Sequence, residues 1–489
     1  MIIQRFFSGL TRLAYRQLAA ALSACCLLSG AAAGDELISE ELPPPLSLRE
    51  RAAQTLLEAI RLVSVNPPGD EAPVAEFLVG ELREGGLEAA LIATPDGDSK
   101  LGRAAAWGRL PGTGERRPLV LLSHLDVVPA NRAAWTTDPF AGIRRDGFII
   151  GRGSLDAKGV TVIQLLALTE LAKREVPLKR DIVFLATPDE ETGGLDGAGY
   201  LVRERPGLLL DAEYLLTEGG GIRLVSDRTP PVWGISVIEK SPCWMRVAAR
   251  GTPGHSSAPP RDAAVPRLIA ALDRVRRLDH PIRVVPEVQR MFAALAPLAS
   301  AEDAPGYGDL ATFLTTDPAF RSRFLAERSQ AALVRNTLTI TVLEGAPSTN
   351  VLPVEAAAHL DARLLPFERC DVFVDRVRQA VGDTGVRVEP LLTFHARGSA
   401  IDTALYRAIE RVALATDPRA VIVPRMLEGF TDAHFFRDLG IHAYGFVPRW
   451  HRAGEVRGIH GPDERVSIEN LERGVHTLIA IILELDRLD

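Results

Sequence analysis

Residues 118–126 read PLVLLSHLD, an apolar run that ends on a histidine and an aspartate. A short continuous apolar run of this kind is typical of a strand buried on both faces of a parallel sheet. Similar runs occur at 181–187 and 212–217, and the helical pattern of 160–174 lies between the first two runs. This alternation predicts an α/β fold with a mostly parallel sheet and helices on both of its faces.

The pattern changes after the paired prolines at 230–231. The segments that follow read as strand, helix, strand, strand, helix and strand, at 243–251, 263–278, 336–345, 354–366, 370–383 and 386–394. That order is the split order of a ferredoxin-like α+β domain. We therefore predict an inserted domain at 232–398, itself interrupted by a Pro/Ala-rich segment at 279–335. The first domain would consist of 48–231 and 399–489.

The N-terminal segment differs from the rest of the chain. Residues 1–33 carry arginines ahead of a small-residue apolar run, LAAALSACCLLSGAAA at 18–33. This plan is typical of a secretory signal peptide, because the run is too short and alanine-rich for a comfortable membrane span. An uncleaved membrane anchor is one alternative, and lipidation at Cys25 is another. Residues 34–47, which include ELPPPLS, suit an extended tether. We expect a periplasmic or secreted protein.

Length, charge and cysteine content set further limits. The chain has 489 residues and a formal net charge of −7. Its length exceeds the size at which a single core stops growing, so two or more domains are expected. The negative charge argues against a nucleic-acid partner. Beyond the predicted signal peptide only Cys243 and Cys370 remain, and their spacing leaves a disulfide and two buried free thiols equally open.

Five acidic and imidazole residues follow strand-like runs or lie in glycine-flanked loops: His124, Asp156, Glu191, Glu218 and His460. In an open α/β sheet, ligands gather in the crevice outside the carboxyl ends of the strands. Two imidazoles and three carboxylates brought together there would bind hard-to-borderline divalent cations. They are enough for two zinc ions that share one carboxylate. Each residue alone is weak evidence, since a lone histidine is more often an ordinary, partly buried one.

Two neighbours of these residues have a chemistry of their own. Glu190 adjoins Glu191 at the end of a strand, where adjacent carboxylates are costly unless a cation or a shared proton holds them. One of the pair can therefore bind metal while the other acts as a general base. In the H-x-D pattern, His124 and Asp126 share one face of an extended segment. One of them can ligate metal while the other orients it.

With these motifs in order, the chain resembles the dizinc metallopeptidases typified by carboxypeptidase S, glutamate carboxypeptidase, aminoacylase and succinyl-diaminopimelate desuccinylase. The resemblance rests on SHLDVVP, GRGSLDAKG, PDEETGG, TEGG, GHSS, NVLP, DARLLP and IHGPDE. It implies that Asp156 bridges two zinc ions. His124 and Glu218 would complete one metal site. Glu191 and His460 would complete the other.

The same resemblance implies that Glu190 is the general base and that Asp126 orients the first histidine. In the inserted domain, His255 of GTPGHSS matches the lid histidine of the family. That histidine polarises the scissile carbonyl and comes from the partner subunit in dimeric members. Asn350 and Arg363 match positions that bind the free carboxylate of the substrate, a role that suits the planar fork of arginine. A salt bridge on the strand face is the alternative for Arg363.

The insertion at 279–335 is most similar to those of carboxypeptidase S and the secreted N-acyl-amino-acid hydrolases. It leaves open whether a homodimer forms through the lid domain, because an insertion there can block or replace that contact. The expected reaction hydrolyses a peptide or N-acyl amide bond and releases an amino acid with a free carboxylate. Zinc is the expected metal, with cobalt or manganese as substitutes. The alternatives are an amine-recognising aminopeptidase or deacylase, and a catalytically idle binding module.

Overall fold

This computed structural model describes residues 46–224, 229–452 and 458–488. The predicted signal peptide and residues 34–45 of the predicted tether lie outside the described residues. In the described ranges, no helix is long and apolar enough to cross a membrane.

The described residues form fourteen α-helices. In chain order they are α1 (Leu48–Arg61), α2 (Ala72–Glu84), α3 (Lys158–Lys173), α4 (Ala198–Glu204), α5 (Ala264–Arg276), α6 (Pro286–Leu295), α7 (Ala304–Gly308), α8 (Leu310–Thr316), α9 (Pro318–Ala326), α10 (Arg328–Leu333), α11 (Cys370–Val381), α12 (Ala404–Thr416), α13 (Ala433–Asp438) and α14 (Ile468–Leu488). Their ends follow local chemistry. The Ser47 hydroxyl caps α1 by accepting from the Glu50 N–H, and α6 begins at a proline, which needs no intrahelical donor there.

The strands of the described chain form four sheets. In chain order they are β1 (Glu88–Ala93), β2 (Ala104–Leu110), β3 (Arg116–His124), β4 (Ile143–Arg145), β5 (Phe148–Ile150), β6 (Arg180–Thr187), β7 (Tyr214–Thr217), β8 (Gly221–Leu224), β9 (Val232–Glu239), β10 (Ser241–Arg250), β11 (Gly254–His255), β12 (Thr337–Glu344), β13 (Val351–Leu352), β14 (Glu355–Leu364), β15 (Val386–Thr393), β16 (Val421–Leu427), β17 (His442–Gly445), β18 (Trp450–Arg452) and β19 (Arg465–Ser467).

The largest sheet has ten strands in the order β1-β2-β6-β3-β7-β17-β9-β8-β18, with β16 paired to β9. Its centre is parallel, since β3 pairs in parallel with both β6 and β7, and β7 pairs in parallel with β17. The apolar runs of β3 and β6 are buried, as expected of strands covered by helices on both faces. The prediction of a mainly parallel α/β sheet is confirmed.

The inserted domain is built on a four-stranded antiparallel sheet with the order β12-β14-β10-β15. With α5 after β10 and α11 after β14, this is the ferredoxin-like arrangement that the segment order predicts. Its own core contains Met245, Leu268, Leu360 and Phe373. The predicted start at 232 differs from the sheet assignment, because β9 belongs to the ten-stranded sheet. The separate antiparallel sheet begins at Ser241. We call residues 241–278 and 336–393 the lid.

The insertion at 279–335 is helical and packs against the large sheet. Its helices α6 to α10 carry Val288, Phe292, Phe320 and Phe324 into the same apolar core as Met426 of β16. The sequence predicts only that this segment interrupts the inserted domain. In the structure it is a cover on the large sheet, because its aromatic side chains are buried there and are absent from the core of the lid.

A disulfide joins Cys243 of β10 to Cys370 at the start of α11, with their Cα atoms 5.4 Å apart. The alternative of two free thiols is therefore excluded in this structure. The bond ties a strand of the lid to the helix that packs on it.

Candidate metal centre

The centre lies where three parallel strands end side by side. His124 is the last residue of β3, and Glu218 directly follows β7. Glu190 and Glu191 lie in a 3₁₀ turn three residues beyond the end of β6. Because β3 pairs in parallel with β6 and β7, their carboxyl ends open at one edge of the sheet. The sheet thus presents these side chains to one crevice.

Two residues reach the crevice from loops. Asp156 precedes α3 in the glycine-rich loop, and its peptide bond to Ala157 is cis. His460 comes from the loop before β19, more than three hundred residues later in the chain. All five sequence-predicted metal ligands therefore meet at this edge.

The five side chains form two groups that share Asp156. One group is His124, Asp156 and Glu218, and the other is Asp156, Glu191 and His460. His124 Nε2 lies 3.0 Å from Asp156 Oδ1 and 3.6 Å from Glu218 Oε1. His460 Nε2 lies 3.2 Å from Asp156 Oδ2 and 3.1 Å from Glu191 Oε2. The two oxygens of Asp156 thus face different histidines, which is the geometry of a bridging carboxylate.

The donor set fits two divalent cations. Within each group the ligand atoms lie within 4.8 Å of one another. In the described part of the chain, Glu191 Oε1 is buried with no hydrogen-bond partner. Burial raises the pKa of Glu191 and Glu218, and the charge of Asp156 raises both further. Carboxylates crowded in this way need positive charge between them, and a nitrogen and oxygen donor set of this kind binds zinc and its neighbours.

Asp126 is fully buried and joins two parts of the centre. His124 Nδ1 lies 3.0 Å from the Asp126 backbone oxygen and 3.4 Å from Oδ1. The Asp126 carboxylate accepts hydrogen bonds from the backbone N–H groups of Glu190 and Glu191, and from the Asn66 side-chain amide. Burial raises its pKa, but the hydrogen bond and charge of His124 outweigh burial and leave it below its usual value. Asp126 therefore holds both the histidine and the Glu190–Glu191 turn.

Glu190 lies beside the two groups without belonging to either. Its Oε2 is 4.0 Å from His124 Nε2, and its side chain lines the adjoining cavity. Burial raises the pKa of Glu190 well above its usual value, and the charges of Glu218 and Asp432 add to the shift. A buried carboxyl with a raised pKa, next to a metal site, is suited to receive and return a proton.

Glu464 is a supporting residue that the sequence interpretation missed. Its fully buried carboxylate accepts from the N–H groups of Gly153, Leu155 and Asp156, and pairs with Arg152 at 2.6 Å. It therefore fixes the loop that presents the shared carboxylate. Its only signal in the sequence is its place in IHGPDE, four residues after His460.

A cavity of about 970 Å³ adjoins the centre and is lined by Asp156, Glu190, Glu191, Glu218 and His460. Much of its remaining lining is apolar and comes from the insertion, through Met291, Phe292, Leu295, Leu298, Tyr307 and Leu333. The insertion therefore shapes the space in which a substrate would lie.

The three site residues predicted in the lid lie at two different positions, Arg363 at the cavity and His255 and Asn350 away from it. Arg363 lines the cavity, with its guanidinium 4.7 Å from the Phe430 ring centre and 5.5 Å from that of Trp244. Its Nε and Nη2 donate to the two oxygens of Asp361 at 2.7 and 2.9 Å. The strand-face salt bridge that the sequence left open is thus present, although Nη1 makes no contact with Asp361.

His255 lies on the exposed β11–β13 ladder, Asn350 directly precedes β13, and neither residue lines the cavity. His255 Nδ1 hydrogen-bonds the Ser257 hydroxyl at 2.8 Å, and the Asn350 amide oxygen accepts from Ser348. The single chain therefore does not bring these two residues to the metal centre.

Comparison with known proteins identifies the family of this chain. Residues 120–484 match peptidase family M20/M25/M40. The chain belongs to this family. The match covers all five predicted metal ligands and the whole lid, and the family resemblance predicted from the sequence is confirmed.

Curated relatives from this M20 family include enzymes with different substrates. The chain is 30% identical over 367 residues to the N-fatty-acyl-amino acid synthase/hydrolase PM20D1.1 of Danio rerio, covering 73% of this chain and 70% of the relative. It is 27% identical over 423 residues to aminoacylase-1 of Sus scrofa, covering 85% and 90% of the two chains. This M20 chain is therefore a hydrolase acting on amide bonds, as the sequence predicted.

Solved structures show the same fold. The M20 metallo-carboxypeptidase Sso-CP2 of Sulfolobus solfataricus superposes with a TM-score of 0.69 at 18% identity, covering 90% of this chain and all of that one. Human carnosine dipeptidase 1 gives a TM-score of 0.69 at 19% identity, covering 91% and 100%. At these identities the likeness concerns the fold alone.

Proposed function

We propose that this M20 chain is an exported dizinc hydrolase that cleaves N-acyl amino acids, or peptides at their C-terminus, and releases an amino acid with a free carboxylate. One observation carries the proposal. Asp156 directs its two oxygens at two separate histidine–carboxylate groups, and Glu190 lies beside them at the edge of a large cavity.

Zinc suits the donor set, which contains one imidazole and two carboxylates in each group, with cobalt or manganese as substitutes. His124 and Glu218 would hold one ion, Glu191 and His460 the other, and Asp156 both. Bound there, such ions supply Lewis acidity and lower the pKa of water.

The chain's own residues would then handle the proton. Glu190 takes the proton from the attacking water and passes it to the leaving nitrogen, which is why a raised carboxyl pKa is useful. Asp126 keeps Glu190 in place through the backbone N–H of that residue. Its second contact, to His124, fixes the ring that binds metal.

The shape of the cavity supports an N-acyl substrate. Apolar side chains of the insertion, among them Met291, Phe292 and Leu295, line a space that would shelter an acyl chain from water. Several relatives are named as N-fatty-acyl-amino acid hydrolases, and another as an aminoacylase. We therefore place the acyl group against the insertion.

The free carboxylate of the substrate would be bound by Arg363 together with residues of a second subunit. Arg363 lines the cavity. Its Nε and Nη2 donate to Asp361, which leaves Nη1 to donate to a ligand. His255 and Asn350 would complete the site from the lid of a partner in a homodimer. Their exposure in the single chain leaves them accessible for this role.

Export is proposed from two features. The N-terminal segment has the plan of a signal peptide, and the Cys243–Cys370 disulfide suits an oxidising compartment such as the periplasm.

The deciding experiment compares the wild type with Glu190→Gln. Both proteins are assayed against a panel of N-acyl amino acids, dipeptides and their C-terminal amides, and their bound metal is measured. We expect chelator-sensitive hydrolysis that needs the free carboxylate, a loss of at least about a hundredfold in kcat in the variant, and equal metal content. Activity that tolerates the amides but requires a free amine would contradict the proposed substrate class. A metal-free, inactive wild type would leave only a binding module.

A further inference from the structure

Two arginines and a histidine form a cluster in the lining of the same cavity, apart from the predicted metal ligands. Arg223 of β8 and His451 of β18 are direct partners in a parallel strand pair, so their side chains lie next to each other on one face. Arg425 of β16 lies on the same face. Val423, two residues before it, pairs with Gly234 of β9, and Gly234 pairs with Gly221, two residues before Arg223. All three line the cavity. We call Arg223, Arg425 and His451 the basic cluster.

Two glycines make room for the basic cluster. A Cβ at Gly234 would lie 2.5 Å from Cδ of Arg425, and a Cβ at Gly221 would lie 3.3 Å from Cε1 of His451. Gly221 and Gly234 are themselves direct partners between β8 and β9. The side chains of Arg425 and His451 therefore lie directly over the backbone of two glycines, which makes them part of the built wall of the cavity.

The basic cluster has a single, long ion pair among the described residues. In the described part of the chain, no carboxylate forms an ion pair with Arg223, and the nearest to Arg425 is Glu428 at 4.0 Å. Burial, together with the charges of Arg449, Arg223 and Arg425, lowers the pKa of His451 to about 4. The imidazole is therefore neutral at physiological pH, and the two guanidinium groups leave a net positive charge in the cavity wall.

The insertion covers this charged wall. Helix α6 packs on β16, and Met291 and Phe292 of α6 and Tyr307 of α7 line the same cavity. Partial exclusion of water strengthens the interaction of a guanidinium with an anion. An anionic group that enters beside these apolar side chains would therefore be held more strongly than on an open surface.

We propose that Arg223, Arg425 and His451 form a second carboxylate-binding subsite, which selects substrates that carry an anionic group besides the one bound by Arg363. The planar forks of the two arginines match a carboxylate, and His451 lies beside Arg223 in the same wall. The subsite rests on the proposed hydrolase function for its place in catalysis. Two parts of a substrate can supply this second carboxylate. One is the far end of the acyl group, and the other is the side chain of the amino-acid portion.

A binding measurement tests the subsite without turnover. Octanoate and octanedioate are titrated calorimetrically into the metal-loaded full chain, so that the two ligands differ by one carboxylate. We expect octanedioate to bind at least about tenfold more tightly, as charged hydrogen bonds predict. The preference should vanish in Arg425→Met and in Arg223→Met. It should persist in Arg290→Met, which removes the same charge from α6 outside the cavity lining.

Equal affinity for the two ligands in the wild type would overturn the subsite, and so would a preference that survives in both cavity variants. Two variants on different strands keep the test valid if one of them fails to fold. Because binding needs no reaction, a retained preference in a protein without hydrolase activity would reject the proposed function and leave the subsite standing.

Hydrolysis assays then separate the two sources of the carboxylate. The substrates are octanoyl-glycine, its analogue with a terminal acyl carboxylate, and octanoyl-glutamate. A loss in kcat/KM for Arg425→Met that is confined to the acyl dicarboxylate assigns the subsite to the acyl end. A loss confined to octanoyl-glutamate assigns it to the amino-acid side chain. Equal losses on all three substrates would overturn the subsite as a selective element.

Discussion

Glu464 accepts a hydrogen bond from the Asp156 backbone N–H at 3.1 Å, across a sequence separation of 308 residues. The same carboxylate oxygen accepts from Leu155 N–H at 2.7 Å, while the other oxygen accepts from Gly153 N–H and pairs with Arg152. The C-terminal segment thus holds the glycine-rich loop at the point where it presents Asp156, the proposed shared metal ligand. Supporting contacts of this kind set both the orientation and the affinity of a metal ligand.

Glu464→Gln should therefore weaken metal binding although Glu464 touches no ligand atom of the metal groups. The amide keeps the size of the side chain but loses the charge that Arg152 and three N–H groups share. We expect metal affinity to fall about 10- to 100-fold, measured by competition with a chelator. Glu469→Gln on the exposed start of α14 is the matched control. An unchanged affinity in Glu464→Gln would show that the loop does not depend on this carboxylate.

Subunit mixing tests the predicted contribution of His255 from a partner. His255→Ala and Glu190→Gln should each be nearly inactive alone. A heterodimer keeps one complete site, with Glu190 from one subunit and His255 from the other. An equal mixture refolded or exchanged together should therefore regain about a quarter of wild-type activity, because half of the dimers are mixed and each has one intact site. No recovery, or a monomer in sedimentation analysis, would contradict the shared site.

Loss of the Cys243–Cys370 disulfide should destabilise the lid. The bond closes a loop with a sequence separation of 127 residues. Removal of a native disulfide typically costs about 2–5 kcal/mol, so the midpoint of urea unfolding should shift to lower concentration. Reductant should shift the wild type in the same way and leave the Cys243→Ser/Cys370→Ser double variant unaffected. An equal reductant effect on both proteins would place the sensitivity elsewhere.

His434 should make the protein less stable as the pH falls. The ring is buried against Phe394, and burial lowers the pKa of His434 to about 3. The unfolded chain, with a histidine pKa of about 6.5, binds more protons than the folded one between these values, so stability rises with pH in this window. Lowering the pH from 7 to 5 should cost about 2 kcal/mol through this residue.

The matched measurement compares urea unfolding of the wild type and His434→Leu at both pH values. Other groups titrate equally in the two proteins, so only the difference between them reports on His434. The variant should lose less stability than the wild type on acidification. An identical pH dependence would mean that the ring has the same pKa in the folded and unfolded states, and it would contradict the prediction.

The sequence predicted which acidic and imidazole side chains meet at the edge of the sheet because most of them are tied to a local signal. His124 and Glu218 come at or directly after buried strands, and Asp156 lies in a glycine-rich turn. Parallel pairing of those strands is enough to bring His124 and Glu218 together, whereas Asp156 and His460 reach the site from loops. The ferredoxin-like order of the lid was readable for the same reason, since each of its elements has its own periodicity.

Other features depended on contacts that no local pattern encodes. The insertion packs on β16, which lies about a hundred residues further along the chain, so its place could not be read from its composition. The first residues of the predicted inserted domain, VWGISVIE at 232–239, are all buried in the large sheet. The mostly apolar sequence of this segment resembles the runs of β3 and β6. It was the sign in the sequence that β9 belongs to the same sheet. The salt bridge between Asp361 and Arg363 follows strand alternation and remained an open alternative until the structure placed both.

Metal stoichiometry tests the central claim most directly, because the claim is that Asp156 serves two metal sites at once. Metal per chain is measured after dialysis in the wild type, Asp156→Ala, His124→Ala and His460→Ala. We predict two ions in the wild type, one in each histidine variant and none in Asp156→Ala. A wild type with a single ion, or an Asp156→Ala variant that keeps one ion with wild-type affinity, would contradict the account.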